Sequence, residues 1–160
     1  MDERRTGSGV GFEGVTPILR VQNLAASVQY YVSKLGFKKD WEGSGPFASV
    51  SRGRCHLFLS EGDQGHIGSW VWIGVQDAEA LFNEYSASGA KVRHAPTNYP
   101  WAYEIQVEDL DGNVLRMGSD PKIDQPAGEW LDMYGHRWVS TPSGEWVRWE
   151  DDGAKDKQNS

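Results

Sequence analysis

The chain has 160 residues, of which 23 are Asp or Glu and 16 are Lys or Arg, so its formal charge is -7. An acidic surface repels phosphate backbones, so we expect no nucleic acid partner and favour a neutral or cationic ligand. No apolar run approaches the ~20 residues that a membrane-spanning helix needs, and no membrane association is expected. The 8 Trp residues indicate a folded domain with much aromatic surface.

Cysteine usage and the N-terminal composition predict where the protein resides. Cys55 is the only cysteine, which excludes an internal disulfide and suits a reducing compartment. Residues 1–14 are charged and Gly-rich, and they lack the apolar core of a secretory signal. We therefore expect a cytoplasmic protein with a flexible arm over residues 1–14.

The first patterned stretch, residues 15–61, predicts the element order βαβββ. A strand pattern over residues 17–21 is followed by Asn23, which can cap a helix, and later by Gly36, which can end it in the left-handed conformation. The apolar positions between these two residues follow helical spacing: Leu24, Val28, Tyr31, Val32 and Leu35. Three further strands are predicted over residues 37–42, 47–52 and 55–60.

Residues 68–119 repeat this order. A strand over residues 70–75 leads to Asp77 as a helix cap, and Gly89 ends the apolar helical stripe that follows. Three more strands are predicted over residues 91–94, 103–107 and 114–118. The segment Val21-Gln22-Asn23 at the first cap matches Val75-Gln76-Asp77 at the second. The recurrence predicts an α+β fold of two tandem βαβββ modules in one domain over residues 15–122.

Alternation along the strands predicts which side chains line a pocket. A strand under a helix presents apolar residues to it, and the alternate residues face the other way. In one strand Val71 and Ile73 form the helix-facing set, whereas Trp70 and Trp72 form the opposite set. The pocket candidates are Phe47, His56, Phe58, Trp70, Trp72, Trp101 and Tyr103. We expect the paired sheets to enclose them, with core filling as the alternative role of the same rings.

Several short motifs in these modules are shared with a known family: Thr16-Pro17-Ile18-Leu19, Leu35-Gly36-Phe37, His56-Leu57-Phe58-Leu59-Ser60, Trp70-Val71-Trp72, Pro100-Trp101 and Asp111-Gly112-Asn113. With them, residues 15–119 resemble the vicinal oxygen chelate superfamily, which includes glyoxalases, extradiol dioxygenases, fosfomycin-resistance enzymes and bleomycin-resistance proteins. The motifs together look most like the bleomycin-resistance branch.

Enzymes of this superfamily hold a divalent metal through His or Glu side chains on the first and last strands of the modules. The resemblance assigns Thr16, Trp70 and Arg116 to three of these positions and leaves only His56 near the fourth. One imidazole cannot hold a catalytic ion, and a guanidinium repels it. We therefore expect no metal, no cofactor and no catalytic residue. Five other carboxylates show no cluster spacing and are expected mostly at the surface: Asp40, Glu42, Glu61, Asp63 and Glu104.

Bleomycin-resistance proteins sequester their drug in grooves at a dimer interface, where aromatic rings stack on it. The resemblance implies the same function here, with a planar and cationic ligand and with Arg116 among the ligand-binding residues. The stacking aromatics of that branch match Trp41, Phe47, Trp70 and Trp101. Pro17 matches the proline associated with exchange of the first strand between the two copies of a homodimer. Arg52 and Arg54 depart from the acidic character of the drug binders and weaken the match to bleomycin itself.

Three other functions remain open from the sequence. The first is a metal-dependent glyoxalase, lyase or dioxygenase with displaced ligands. The second is a metal-free enzyme that uses His56, Glu104 or Arg116 for acid–base chemistry. The third is a protein-interaction role for the Trp-rich C-terminal segment.

Residues 123–150 continue beyond the resemblance as a Trp-rich extension. Two short strand patterns flank the turn Thr141-Pro142-Ser143-Gly144, which predicts a β-hairpin. Exposing several indoles to water is unfavourable, so we expect the extension to pack on the domain or on its partner, as a stabilising appendage or as a lid. Residues 151–160 are polar and are expected to be disordered.

Overall fold

The computed structural model describes residues 9–149. The predicted tail over residues 151–160 and most of the predicted arm over residues 1–14 lie outside this range. The elements follow in chain order as β1 (Ile18–Arg20), α1 (Leu24–Ser33), β2 (Lys38–Glu42), β3 (Phe47–Arg52), β4 (Cys55–Ser60), β5 (Trp70–Gly74), α2 (Ala78–Ser88), β6 (Lys91–Asn98), β7 (Tyr103–Glu108), β8 (Val114–Ser119), β9 (Trp130–Leu131), β10 (Arg137–Ser140) and β11 (Trp146–Arg148). No helix within residues 9–149 is long and apolar enough to cross a membrane.

The first module starts its helix at the predicted cap. The Asn23 side chain accepts a hydrogen bond from the backbone N–H of Ala26 at 2.9 Å, and the Glu61 carboxylate accepts one from the N–H of Leu24 at 2.8 Å. These acceptors satisfy N–H groups that the first turn of a helix leaves without partners. The strands form one sheet in the order β1-β4-β3-β2, with β1 parallel to β4.

The second module repeats this arrangement. Asp77 accepts a hydrogen bond from the N–H of Ala80, and Gly89 ends α2 in the left-handed conformation at φ 80°. Its sheet has the order β5-β8-β7-β6, with β5 parallel to β8. The predicted α+β fold of two tandem βαβββ modules is confirmed. β6 is longer than predicted and runs through Pro96 to Asn98, which an edge strand tolerates because its outer N–H groups need no partner.

Both helices lie between the two sheets and share one hydrophobic core, whose buried members include Leu19, Val28, Leu35, Val50, Leu57, Leu59, Ile105, Val107 and Leu115. The Tyr31 hydroxyl donates to Asp109 and the Tyr85 hydroxyl donates to the carbonyl of Leu35, each at 2.9 Å, so polar contacts also join the modules. The outer faces of the sheets therefore turn away from each other. The expectation that the sheets of one chain enclose a single pocket is wrong, because alternation separates the two faces of a sheet without saying which faces meet.

The C-terminal extension forms a small antiparallel sheet in the order β11-β10-β9. Its β10–β11 pair is the predicted hairpin, and β9 adds a third strand too short to give a sequence pattern. The side chain of Asn98, at the end of β6, donates to the carbonyls of Lys122 and Gln125, each at 2.9 Å, and accepts from the N–H of Lys122. These bonds anchor the start of the extension beside the second sheet.

Candidate functional site

Three aromatic rings predicted as site residues lie together on the outer face of the first sheet. The ring centroids of Trp41 and Phe47 are 6.0 Å apart, those of Trp41 and Phe58 are 5.5 Å apart, and those of Phe47 and Phe58 are 5.3 Å apart. Trp41 remains 45% exposed. We refer to Trp41, Phe47 and Phe58 as the first-sheet cluster.

His56 lies on the same strand as Phe58 and faces a carboxylate. Its Nδ1 is 3.6 Å from Oδ2 of Asp40, while its side chain is 52% exposed. The hydroxyls of Ser51 and Ser49 donate to Asp40 at 2.7 and 3.1 Å, and the Ser51 bond is the main cause that lowers the pKa of Asp40. The pair is thus a solvent-exposed contact at the edge of the first-sheet cluster.

The outer face of the second sheet is concave. Arg93 of β6 lies 5.2 Å from the ring of Trp70 on β5, although these two strands form opposite edges of the sheet. Arg116 of β8 is on this face between them, directly opposite Trp72 in the strand register. The ring of Trp72 covers Gly118, where an added Cβ would lie only 3.1 Å from the indole.

Tyr103 is not on this face. It alternates with Glu104 along β7 and therefore shares the helix side of the sheet with Ile105. Its ring instead lies 5.1 Å from the ammonium group of Lys122. Of the predicted second-sheet residues, the structure brings Trp70, Trp101 and Arg116 into one neighbourhood and leaves Tyr103 outside it.

The extension inserts Trp130 into the concave face. The ring of Trp130 lies 4.6 Å from the guanidinium carbon of Arg116. It also meets the rings of Trp70 at 6.3 Å, Tyr99 at 5.7 Å and Trp101 at 6.0 Å. The expected packing of the extension against the domain is therefore observed, and it uses the face that carries the predicted site residues.

An aromatic pocket of ≈ 620 Å³ lies between the second sheet and the extension, and its lining consists of Trp101, Arg116, Trp130, Asp132, Trp138 and Trp146. The rings of Trp101 and Trp146 are 5.7 Å apart at one side of it. We call this space the aromatic pocket. Four of its six lining residues come from the extension, so the extension forms most of its wall.

Glu104 holds two pocket residues in place, Arg116 and Trp101, and its position differs from the prediction. It was expected among the surface carboxylates, yet its side chain is fully buried. Both carboxylate oxygens accept hydrogen bonds from Arg116, at 3.0 and 3.1 Å, and one also accepts the indole N–H of Trp101. Such a bidentate pair fixes the plane of the guanidinium and neutralises its charge.

Asp132 provides a negative charge at the pocket wall. Its carboxylate accepts hydrogen bonds from the indole N–H of Trp138 at 3.0 Å and from the backbone N–H groups of His136 and Tyr134. Desolvation raises the pKa of Asp132, but these hydrogen bonds outweigh it and lower the pKa to about 2. Asp132 therefore stays ionised throughout the neutral and mildly acidic range.

The residues at the family's metal positions do not fit a divalent ion. Thr16 and His56 belong to the first module and Trp70 and Arg116 to the second, and the helices lie between the two sheets. Arg116 also places a cation where a ligand would be needed. Within residues 9–149, no group of three or more His, Cys, Asp or Glu side chains is arranged to hold a metal ion.

Four residues that line the pocket were not predicted as site residues, namely Trp130, Asp132, Trp138 and Trp146. The sequence did signal the tryptophans, because four of the 8 lie in the extension and indoles favour burial. It gave no sign of which sheet face they would cover. Asp132 carries a local signal too, since it precedes the Gly135 turn, where short polar side chains accept backbone N–H groups.

Comparison with known structures supports the fold across the two modules. The bleomycin-binding protein from bleomycin-producing Streptomyces verticillus, solved in complex with copper(II)-bleomycin, is 29% identical, with a TM-score of 0.59 over 69% of this chain and 98% of that chain. A glyoxalase/bleomycin resistance protein/dioxygenase from Nocardioides is 19% identical, with a TM-score of 0.57 over 76% of this chain and 92% of that chain. TioX from Micromonospora sp. ML1 is 17% identical, with a TM-score of 0.58 over 70% and 99%.

No curated protein matches the sequence. Residues 14–117 match the family described as the Glyoxalase/Bleomycin resistance protein/Dioxygenase superfamily, and this match ends before the extension begins. With two βαβββ modules present and well over half of the chain matched, the chain belongs to the glyoxalase/bleomycin resistance protein/dioxygenase superfamily.

Proposed function

We propose that this protein binds and sequesters a planar, cationic small molecule in the aromatic pocket, without altering it chemically. The observation that carries the proposal is the composition of that pocket: four indoles, one carboxylate and the Glu104-paired guanidinium of Arg116 around ≈ 620 Å³. This volume falls within the roughly 300–1,000 Å³ typical of small-molecule sites. Cys55 as the only cysteine supports a cytoplasmic location for this function.

Charge and ring chemistry favour a planar cation. Each indole face attracts a positive group by roughly 0.5–2 kcal/mol, and flat rings stack on it with little loss of side-chain freedom. Asp132 adds an ionised carboxylate at the wall, with its pKa lowered to about 2. Arg116 does not oppose a cation strongly, because Glu104 neutralises it through two hydrogen bonds.

Sequestration is favoured over catalysis on two grounds. The family's metal positions carry Arg116 and Trp70 in this chain, which do not ligate a divalent ion. The bleomycin-binding protein of S. verticillus, at 29% identity, supports binding as the function of this fold.

We also propose that two copies associate, so that the first-sheet cluster of one copy faces the aromatic pocket of the other, with β1 exchanged at Pro17. The support is the exposed apolar surface of that cluster, where Trp41 is 45% exposed. Light scattering is expected to give twice the mass of the 17.9 kDa chain. The mass of a single chain at micromolar concentration would contradict this dimer.

Trp101→Ala is expected to lower the affinity for a planar cation by about tenfold, the loss of one cation–π and stacking contact. Calorimetric titration with copper(II)-bleomycin and with 1-methylquinolinium measures it without relying on indole fluorescence. Trp149→Ala is the matched control, because Trp149 is also exposed, at 52%, and does not line the pocket. Equal affinities of the two variants and the unmodified protein would place the site elsewhere.

A further inference from the structure

One row of side chains crosses all four strands of the second sheet. His94 of β6 is opposite Gln106 of β7, Gln106 is opposite Arg116 of β8, and Arg116 is opposite Trp72 of β5. Directly paired residues project from the same sheet face. Gln106 and His94 therefore lie on the concave face beside Arg116, under the extension.

Gln106 is fully buried, yet among the residues that the structure describes its amide has no hydrogen-bond partner. Neither its Nε2 nor its Oε1 has one within residues 9–149, and the buried Nε2 of His94 has none there either. The guanidinium of the neighbouring Arg116 donates to Glu104 through Nε and Nη2 and makes no hydrogen bond to Gln106 or His94 within residues 9–149. Burying an amide without partners is unfavourable, so a buried amide in a folded protein requires a hydrogen-bond partner.

The two side chains offer a defined set of donors and acceptors. Nδ1 of His94 lies 2.8 Å from the carbonyl oxygen of Ala95, which can only accept, so Nδ1 carries the proton and Nε2 is an acceptor. Desolvation lowers the pKa of His94, which keeps the ring neutral at pH 7. The Gln106 amide adds donors and an acceptor. The row thus matches a ligand group in which a donor lies beside an acceptor.

Trp130 stands between this row and the aromatic pocket. It lines that pocket, and it also lines a second cavity of ≈ 350 Å³ together with His94, Arg93 and Thr97. Its ring covers Arg116, the register neighbour of Gln106. Because this one indole lines both cavities, its displacement would join them.

We propose that Gln106 and His94 form a hydrogen-bonding subsite for a planar carboxamide or similar donor–acceptor group of the ligand, reached when Trp130 is displaced. This inference rests on the proposed function and narrows its ligand class to planar cations that carry such a group. The aromatic pocket holds the cationic ring, and the subsite holds the amide.

A matched pair of probes tests the subsite in the full chain: 1-methylquinolinium and its 3-carboxamide, titrated by calorimetry. The unmodified protein is expected to bind the carboxamide at least tenfold more tightly. Gln106→Leu and Gln106→Met replace the amide with an apolar side chain of similar size. Both are expected to unfold at the same temperature or higher, and both are expected to lose the carboxamide preference while still binding 1-methylquinolinium.

The titrations distinguish the Gln106–His94 subsite from cation binding in the aromatic pocket. Equal affinity of the unmodified protein for the two probes would overturn the subsite and leave cation binding intact, and this comparison needs no variant to fold. A carboxamide preference that survives in both Gln106 variants would also overturn the subsite. If neither probe nor copper(II)-bleomycin bound at all, the proposed function and the subsite would both fall.

Discussion

Glu104→Gln is expected to lower the free energy of unfolding by about 3 kcal/mol, because it leaves the Arg116 charge without its partner in a largely buried site. The Glu104 side chain is fully buried and that of Arg116 is 25% exposed, so water replaces little of the lost contact. Trp101 also loses a charged acceptor for its indole N–H. The measurement is the urea midpoint and slope of each protein.

Glu42→Gln is the control for this change. The Glu42 side chain is 47% exposed and pairs with Lys39 at 3.4 Å on the surface. Such a pair contributes little, so a change below ~0.5 kcal/mol is expected. The double variant Glu104→Leu with Arg116→Met should regain most of the lost stability, because no charge is then left unpaired. If Glu104→Gln and Glu42→Gln lowered the free energy of unfolding by similar amounts, the Glu104–Arg116 pair would be solvated.

Asp109→Ala is expected to be the most destabilising single change considered, by about 4 kcal/mol. Asp109 is 3% exposed and accepts hydrogen bonds from the Tyr31 hydroxyl, from the backbone N–H groups of Asp111 and Asn113, and from the Asn113 side chain. Removing the carboxylate leaves these buried donors without an acceptor, and each unpaired donor costs about 1–3 kcal/mol. Tyr31 belongs to α1 of the first module and Asp109 to the second module, so the variant also loses a hydrogen bond between the modules.

Thermal and urea unfolding of Asp109→Ala should be compared with Asp63→Ala. Asp63 is an exposed carboxylate in the segment between β4 and β5, and its removal is expected to change stability by less than ~0.5 kcal/mol. Tyr31→Phe removes one donor instead of the acceptor and should therefore cost less than Asp109→Ala. A loss for Asp109→Ala no larger than that for Asp63→Ala would show that the donors find other acceptors.

The elements that the sequence predicts well are those specified by local chemistry. β3 and β4 have the predicted bounds, and both helices start after the predicted caps, Asn23 and Asp77. A cap residue accepts a hydrogen bond from an N–H group only three residues later, so its role can be predicted from the local sequence. The repetition of this local pattern made the two-module architecture predictable as well.

The site was predictable only in part, because it depends on contacts between distant segments. In the structure, alternation along β7 puts Glu104 on the face opposite the core, where a carboxylate is ordinarily solvated. Its burial arises from Arg116 on the next strand and from the extension, which arrives after β8 has ended. No pattern within β7 carries that information. The same holds for Gln106, which looks like an ordinary surface residue in the sequence.

The division of the predicted rings into two separate sets has a similar cause. In β4 and β5 the predicted Phe58 and Trp70 lie on the face away from the core, whereas Tyr103 of β7 lies on the helix side. The packing of both helices between the sheets then directs these two sets away from each other. Period-two alternation is a property of one strand, whereas the stacking order of helices and sheets is a property of the whole chain.

Trp130 is covalently linked to the second sheet through the segment between β8 and β9. Its ring therefore competes with any ligand that would stack on the guanidinium of Arg116. A short tether holds its ring at an effective concentration of roughly millimolar or more, whatever the concentration of the protein. A free ligand that needs this indole to move binds only the open fraction, so its apparent Kd exceeds the intrinsic value by the inverse of that fraction. For any ligand that displaces Trp130, the extension would therefore set an affinity threshold, because such a ligand must gain more than the displaced indole loses.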